Sequence, residues 1–75
     1  MSTGDLYRHF KGGVYRILHR AKNTETLEDM VVYQSVKTGE IWVRPAEMFF
    51  EYMETEKYTG FRFTAIAAEE LGENH

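Results

Sequence analysis

The sequence predicts a mostly β protein, and within that class a small SH3-like barrel of five antiparallel strands with one short helical turn. Stretches of alternating polar and apolar residues separated by turn residues indicate strands, and the only proline lies inside the densest apolar run, residues 41–50. Seventy-five residues form one domain that needs a dense core, for which five Tyr, five Phe and one Trp provide large side chains. An open α+β sheet is the alternative architecture.

The alternation also sets the order of elements. Gly12 and Gly13 give the backbone freedom for a turn or bulge, and Gly39 suits the positive-φ position of a hairpin. A weaker alternating stretch covers residues 7–11, and we expect strands over residues 14–21, 30–36, 41–44, 50–53 and 61–66. The predicted organisation is a loose N-terminus over residues 1–6, one β-barrel domain over residues 7–66 and a flexible tail over residues 67–75.

Pro45 determines where the central strand ends. It fixes its own φ, lacks an N–H and holds the preceding residue in extended geometry, so a turn is expected to follow. Residues 46–49 are too few for an independent helix and suit a single helical turn.

Strand side chains alternate between two faces, and the more apolar face is expected to point inward. The inward face of strand 14–21 is predicted to carry Tyr15, Ile17, His19 and Ala21. On strand 41–44, Val43 lies on the predicted core face, opposite to Trp42 and Arg44. The predicted core contains Tyr15, Ile17, Val43, Phe49 and Phe63.

Several chemistries find no support in the residues. The chain has no Cys, and Ser35 lacks the setting of a strained nucleophile turn. His9 and His19 are ten residues apart, which is no familiar ligand spacing, and Lys11-Gly12-Gly13 precedes a strand instead of a helix. We therefore predict no catalytic, metal or cofactor residues and no cofactor, which leaves a small enzyme or metal-binding protein as a distant alternative. No opening apolar segment resembles a signal peptide or membrane span, so a cytoplasmic location is expected.

A group of motifs resembles a known family. It resembles the small bacterial proteins grouped as the domain of unknown function numbered sixteen fifty-three, over roughly residues 7 to 63. The resemblance implies no activity, since the family has none assigned. Asn23 stands where the pattern leads us to expect His, and residues 36–40 stand where it leads us to expect a Tyr-Gly hairpin. The motifs are Tyr7-x-His9-Phe10-Lys11-Gly12-Gly13-x-Tyr15, Ala21, Glu25-Thr26, Val31-Val32-Tyr33, Trp42-Val43-Arg44-Pro45, Met48-Phe49 and Glu51.

Aromatic and basic residues give the main binding hypothesis. Trp42 and Arg44 share a strand face, and a curved sheet would bring that face beside Tyr33 or Tyr52, forming a candidate site for a peptide or protein partner. In the alternative arrangement, Trp42 fills the barrel and Arg44 pairs with a carboxylate of Glu47 or Glu51.

A single-stranded nucleic acid is the second candidate partner. Residues 1–22 contain five basic residues and one acidic residue, a balance of +4, whereas the remainder contains four basic and eleven acidic residues, a balance of −7. Arg16 and Arg20 are expected on the outward face of one strand, about 13 Å apart. The candidate contacts are Arg8, Lys11, Arg16 and Arg20. The acidic majority opposes polyanions, and the favoured explanation of the asymmetry is solvated strand edges whose opposite charges meet across the sheet.

Overall fold

The computed structural model of the protein describes residues 3–67. All strand pairs are antiparallel, and they form a five-stranded sheet in the order β4-β3-β2-β1-β7 and a separate two-stranded hairpin of β5 and β6. The elements are β1 (Leu6–His9), β2 (Val14–Lys22), β3 (Asp29–Ser35), β4 (Ile41–Pro45), α1 (Ala46–Phe49), β5 (Tyr52–Glu54), β6 (Thr59–Phe61) and β7 (Phe63–Ile66).

The mostly β class with one short helix is confirmed, but the five-stranded sheet does not close into a barrel. β4 and β7 are its two edges, and in the described part of the chain they do not pair with each other. Leu6 was expected in a loose terminus, yet it begins β1 and is buried. Of the predicted flexible tail, residues 68–75 lie outside the described residues.

The predicted last strand is divided at Arg62. Its backbone N–H donates to the carbonyl of Glu51 at 2.9 Å, and its own carbonyl accepts from Phe10 at 2.9 Å. Arg62 therefore links the hairpin to the five-stranded sheet, so residues 61 and 63 belong to different sheets. Further back in the chain, Gly39 adopts the predicted positive φ, at 79°, in the β3–β4 turn.

Phe49 is the centre of the core. Its side chain is fully buried and stacks on Phe63, with the ring centroids 4.0 Å apart and the ring planes at 6°. Tyr33 and Tyr7 meet the Phe49 ring at its edges, with centroid distances of 5.3 and 5.4 Å. α1 thus holds an aromatic cluster against one face of the five-stranded sheet, which we call the core face.

Four of the five predicted core residues lie in the hydrophobic core that surrounds this aromatic cluster. Ile17, Phe49 and Phe63 are buried, and Tyr15 is partly buried against them. Val43 is the wrong prediction, because 59% of it is exposed. In the β3–β4 register Val43 pairs with Val32, whereas Trp42 pairs with the buried Tyr33, so Trp42 lies on the core face.

A bulge in β2 explains a second error. Ile17 pairs with Tyr33, but His19 pairs with Val32, so the register shifts by one residue between them. Side chains beyond the shift change faces. His19 and Ala21, which were expected on the inward face with Ile17, are therefore turned to the other face and exposed.

Replacing Phe49 by Ala is predicted to lower the free energy of unfolding by about 3–5 kcal/mol, since it removes the ring at the centre of the core. Met48→Ala is the matched control on the same helical turn, because Met48 is 44% exposed. It should cost no more than about 1 kcal/mol. Urea unfolding followed by circular dichroism measures both values, and equal losses would contradict the assigned core.

Candidate binding site

A small cavity opens on the core face. It has a volume of about 180 Å³, and each of the five strands of the sheet contributes to it. We call it the aromatic pocket, and it is lined by His9, Tyr15, Tyr33, Trp42, Arg44 and Phe63.

Arg44 is the charged group of the aromatic pocket. Its Nε–H donates to the hydroxyl of Tyr33 at 3.3 Å, and its guanidinium carbon lies over the Phe63 ring, 5.9 Å from the centroid. Because Phe49 stacks closely on one face of Phe63, the guanidinium occupies the other face. Within residues 3–67 no carboxylate lies at ion-pair distance from Arg44. The pocket therefore carries a positive charge that those residues leave without a counter-charge.

The contact between Arg44 and Phe63 also shows that the sheet curls. The two residues lie on opposite edge strands, and four strand spacings of a flat sheet would separate those edges by about 19 Å. Side chains meeting at 5.9 Å require the edges to turn toward each other on the core face. The pocket is the concave space that results.

The structure brings together three of the four predicted binding residues. Trp42 and Tyr33 are directly opposite on neighbouring strands, and Arg44 bonds to Tyr33. Trp42 is 49% exposed, so its ring stands at the rim and does not fill the interior. Tyr52 is not part of the pocket, since it lies in the hairpin against Phe61, with the ring centroids 5.2 Å apart.

The alternative carboxylate partners of Arg44 are not used. Glu51 forms its ion pair with Arg62 at 2.7 Å, and no ion pair joins Glu47 to Arg44 in the described part of the chain. The Arg62 side chain is mostly buried beside this pair, with 20% exposed. The Glu51 carboxylate therefore stabilises Arg62, the residue that connects the hairpin to the five-stranded sheet.

His9 is a pocket residue that the sequence did not indicate as part of the binding face. Its Nδ1 accepts the backbone N–H of Lys11 at 3.1 Å, and its ring meets the edge of Phe63 at a centroid distance of 4.9 Å. Burial lowers the pKa of the His9 imidazole, and the charge of Arg44 lowers it further. Arg62 and Lys11 act in the same direction. The imidazole is therefore held neutral.

The predicted basic stripe is not formed along one face. Arg16 pairs with Gln34 before the β2 bulge, whereas Arg20 pairs with Val31 beyond it, so the two arginines lie on opposite faces. Arg20 also stands 3.9 Å from the Asp29 carboxylate. The ammonium of Lys11 lies over the Phe10 ring, 5.8 Å from the centroid, and Arg8 is in β1.

Three further features of residues 3–67 concern metal binding, membranes and the family pattern. No three His, Asp or Glu side chains in this range are grouped closely enough to hold a metal ion. No helix in the same range is long and apolar enough to cross a membrane. Asn23, where the family pattern suggested His, caps a turn instead, since its Oδ1 accepts the backbone N–H of Glu25 at 2.9 Å.

The lowered pKa of His9 predicts a loss of stability in acid. The unfolded chain binds the proton at the ordinary pKa of about 6.5, whereas the folded chain resists it, so unfolding takes up a proton between the two values. The stabilisation is complete above the ordinary pKa and disappears as the pH falls through the lowered one. His9→Gln should therefore reduce the decrease in thermal midpoint between about pH 7 and pH 5. His19→Gln, at an exposed position within β2, should keep the wild-type decrease, and an identical pH profile for all three proteins would refute the assignment.

Comparison with known proteins identifies a family. The model of the family described as "Protein of unknown function (DUF1653)" matches residues 5–65. No curated protein and no solved structure matches the chain. Because the family model covers most of the sequence, the protein belongs to the DUF1653 family.

Proposed function

We propose that this protein is a cytoplasmic, non-enzymatic binding module, comparable in use to small SH3-like domains, that holds an extended segment of a protein partner. One side chain of that segment enters the aromatic pocket. The observation that carries the proposal is the guanidinium of Arg44, which lies among aromatic rings without a carboxylate partner in residues 3–67. A partly desolvated charge of this kind is costly unless a ligand group pairs with it.

The size of the pocket supports a side chain as its occupant. A volume of about 180 Å³ is smaller than the roughly 300–1,000 Å³ of pockets that enclose small molecules or cofactors. It is sufficient for a carboxylate with an adjoining methylene or a flat ring. The remainder of an extended segment would then lie across the exposed face of Trp42 at the rim.

The chemistry of the pocket supports an acidic side chain. A guanidinium offers parallel N–H donors that match a carboxylate, and with Nε bonded to Tyr33, the terminal Nη groups of Arg44 are the donors available to a ligand. The neutral His9 adds no second positive charge. One carboxylate flanked by apolar or aromatic residues therefore fits the pocket better than a run of negative charges, which the net charge of −3 would repel.

Single-stranded nucleic acid is the second candidate. It is supported by the half-exposed Trp42 ring beside a planar cation, an arrangement on which a base can stack. The two candidates differ in salt dependence, because only binding to a phosphate backbone releases many counterions. Fluorescence anisotropy with a labelled single-stranded oligonucleotide at low and high salt therefore distinguishes them.

Selection from a phage-displayed library of random heptapeptides tests the proposal. Wild-type protein should enrich peptides that contain Asp or Glu next to an aromatic or large apolar residue. Arg44→Gln keeps a polar side chain but shortens it and removes its charge, so the affinity for a selected peptide should fall about 10- to 100-fold, the range of a charge-assisted hydrogen bond. The fluorescence of Trp42, the only tryptophan, reports the titration.

Arg16→Gln is the matched control, since Arg16 lies in β2 on the face opposite to the pocket. It should bind the selected peptide as wild type does. Selection of no acidic consensus, or equal binding by the two glutamine variants, would refute the pocket as a peptide site. Oligonucleotide binding that weakens steeply with salt, without any peptide selected, would favour the nucleic-acid candidate.

A further inference from the structure

The outer edge of β4 has an unusual surface. Ile41, Trp42 and Val43 are consecutive large apolar residues, and they are 60, 49 and 59% exposed. In a strand that covers a core, at least one of two neighbours is normally buried, because side chains alternate. The opposite edge, β7, exposes the smaller residues Thr64 and Ala65. Within residues 3–67, β4 is therefore the edge at which the sheet leaves large apolar surface beside unpaired backbone.

The hydrogen-bond pattern shows which backbone groups face outward. The N–H of Ser35 donates to the carbonyl of Glu40 at 2.8 Å, so this pair is hydrogen-bonded across β3 and β4. Hydrogen-bonded pairs alternate along antiparallel strands, which directs the backbone groups of Trp42 and Arg44 toward β3 and those of Ile41 and Val43 outward. Pro45 follows in an outward position, where its missing N–H removes no bond to β3.

We propose that two copies of this chain associate through their β4 strands, antiparallel and related by a two-fold axis at Trp42. Ile41 of each copy is then opposite Val43 of the other. In this register all the outward N–H and carbonyl groups of these two residues form hydrogen bonds, four across the interface. Moving the axis to Val43 places Pro45 opposite Ile41 and leaves the Ile41 carbonyl without a donor. The two sheets become one continuous ten-stranded sheet.

The side chains in this register are complementary. Arg44 of one copy is directly opposite Glu40 of the other, and both lie on the core side of the strand. Both side chains can take a partner, since Arg44 has no carboxylate in residues 3–67 and the Glu40 carboxylate accepts only a long hydrogen bond there, from the hydroxyl of Thr38 at 3.4 Å. The two Trp42 rings meet in a non-hydrogen-bonded pair, where side chains approach most closely. Ile41 and Val43 cover one another on the opposite face.

This association goes beyond the proposed function and is also linked to it. Glu40 of the second copy and the carboxylate of a bound peptide would compete for the same guanidinium. The interface involves one strand per copy and is small, so we expect dissociation in the micromolar range, about 1–100 µM.

Sedimentation equilibrium from about 1 µM to 1 mM tests the association. Wild-type protein should change from the mass of one 8.8 kDa chain to twice that mass as its concentration rises. Glu40→Arg and Arg44→Glu each place like charges opposite one another, so each should weaken association at least tenfold. The double variant Glu40→Arg/Arg44→Glu restores two opposite-charge pairs and should regain the dimer. Because Glu40 is exposed, its variant also serves if Arg44→Glu fails to fold.

The register is tested by cross-linking. The chain has no Cys, so a single introduced thiol is unambiguous. Trp42→Cys should form an intermolecular disulfide under mild oxidation, because residues at the two-fold axis are about 4.5 Å apart at Cα. Thr38→Cys, outside the paired segment, should not. A monomer up to 1 mM, unaffected association in the single charge variants, or equal cross-linking of both Cys variants would overturn the proposal. At protein concentrations below about 1 µM the chain should be monomeric, so peptide binding measured there tests the pocket independently of the association.

Discussion

The stacking of Phe49 on Phe63 is the contact on which the remaining structure depends. A helix of four residues has no stability of its own, and α1 has no side-chain cap at its N-terminus. It is held because the Phe49 ring is inserted between rings from three strands of the sheet. Phe63 belongs to an edge strand, so the same contact also draws β7 over the core and maintains the curvature of the sheet.

The aromatic pocket is a consequence of that arrangement. Phe63 presents one ring face to Phe49 and the other to Arg44, so it forms both the inner boundary of the core and the floor of the pocket. A domain this small has little interior to spare, and using one ring for both purposes lets it keep a cavity without losing core contacts. Binding at the pocket and stability of the fold are therefore physically coupled through one side chain.

Local sequence patterns predicted the positions of the strands and the helical turn better than they predicted which face of each strand points toward the core. The strands β2 to β4 and the helical turn after Pro45 followed from alternation and from the stereochemistry of proline. The outward orientation of Val43 could not be predicted in this way. β4 has large apolar residues on both faces, and only its register with β3 decides which face points inward. Trp42, Arg44 and Tyr33 could be grouped because adjacent strands carry them. His9 and Phe63 could not, since they meet through the pairing of β1 with β7 across more than fifty residues of sequence.

The bulge in β2 divides one long strand into parts with different dynamics. Before it, Ile17 is anchored in the core, whereas the side chains of residues 19–22 beyond it are exposed, and the last pair of the β2–β3 ladder, Lys22 with Asp29, extends past the end of β4. Ion pairs such as Lys22 to Asp29, at 2.8 Å between two half-exposed groups, contribute little to holding it. Amide protons at this end of the ladder should therefore exchange with solvent through local opening, whereas those next to Ile17 require global unfolding. The bulge therefore separates the part of β2 that is fixed by the core from a solvent-exposed end that can open without disturbing the core.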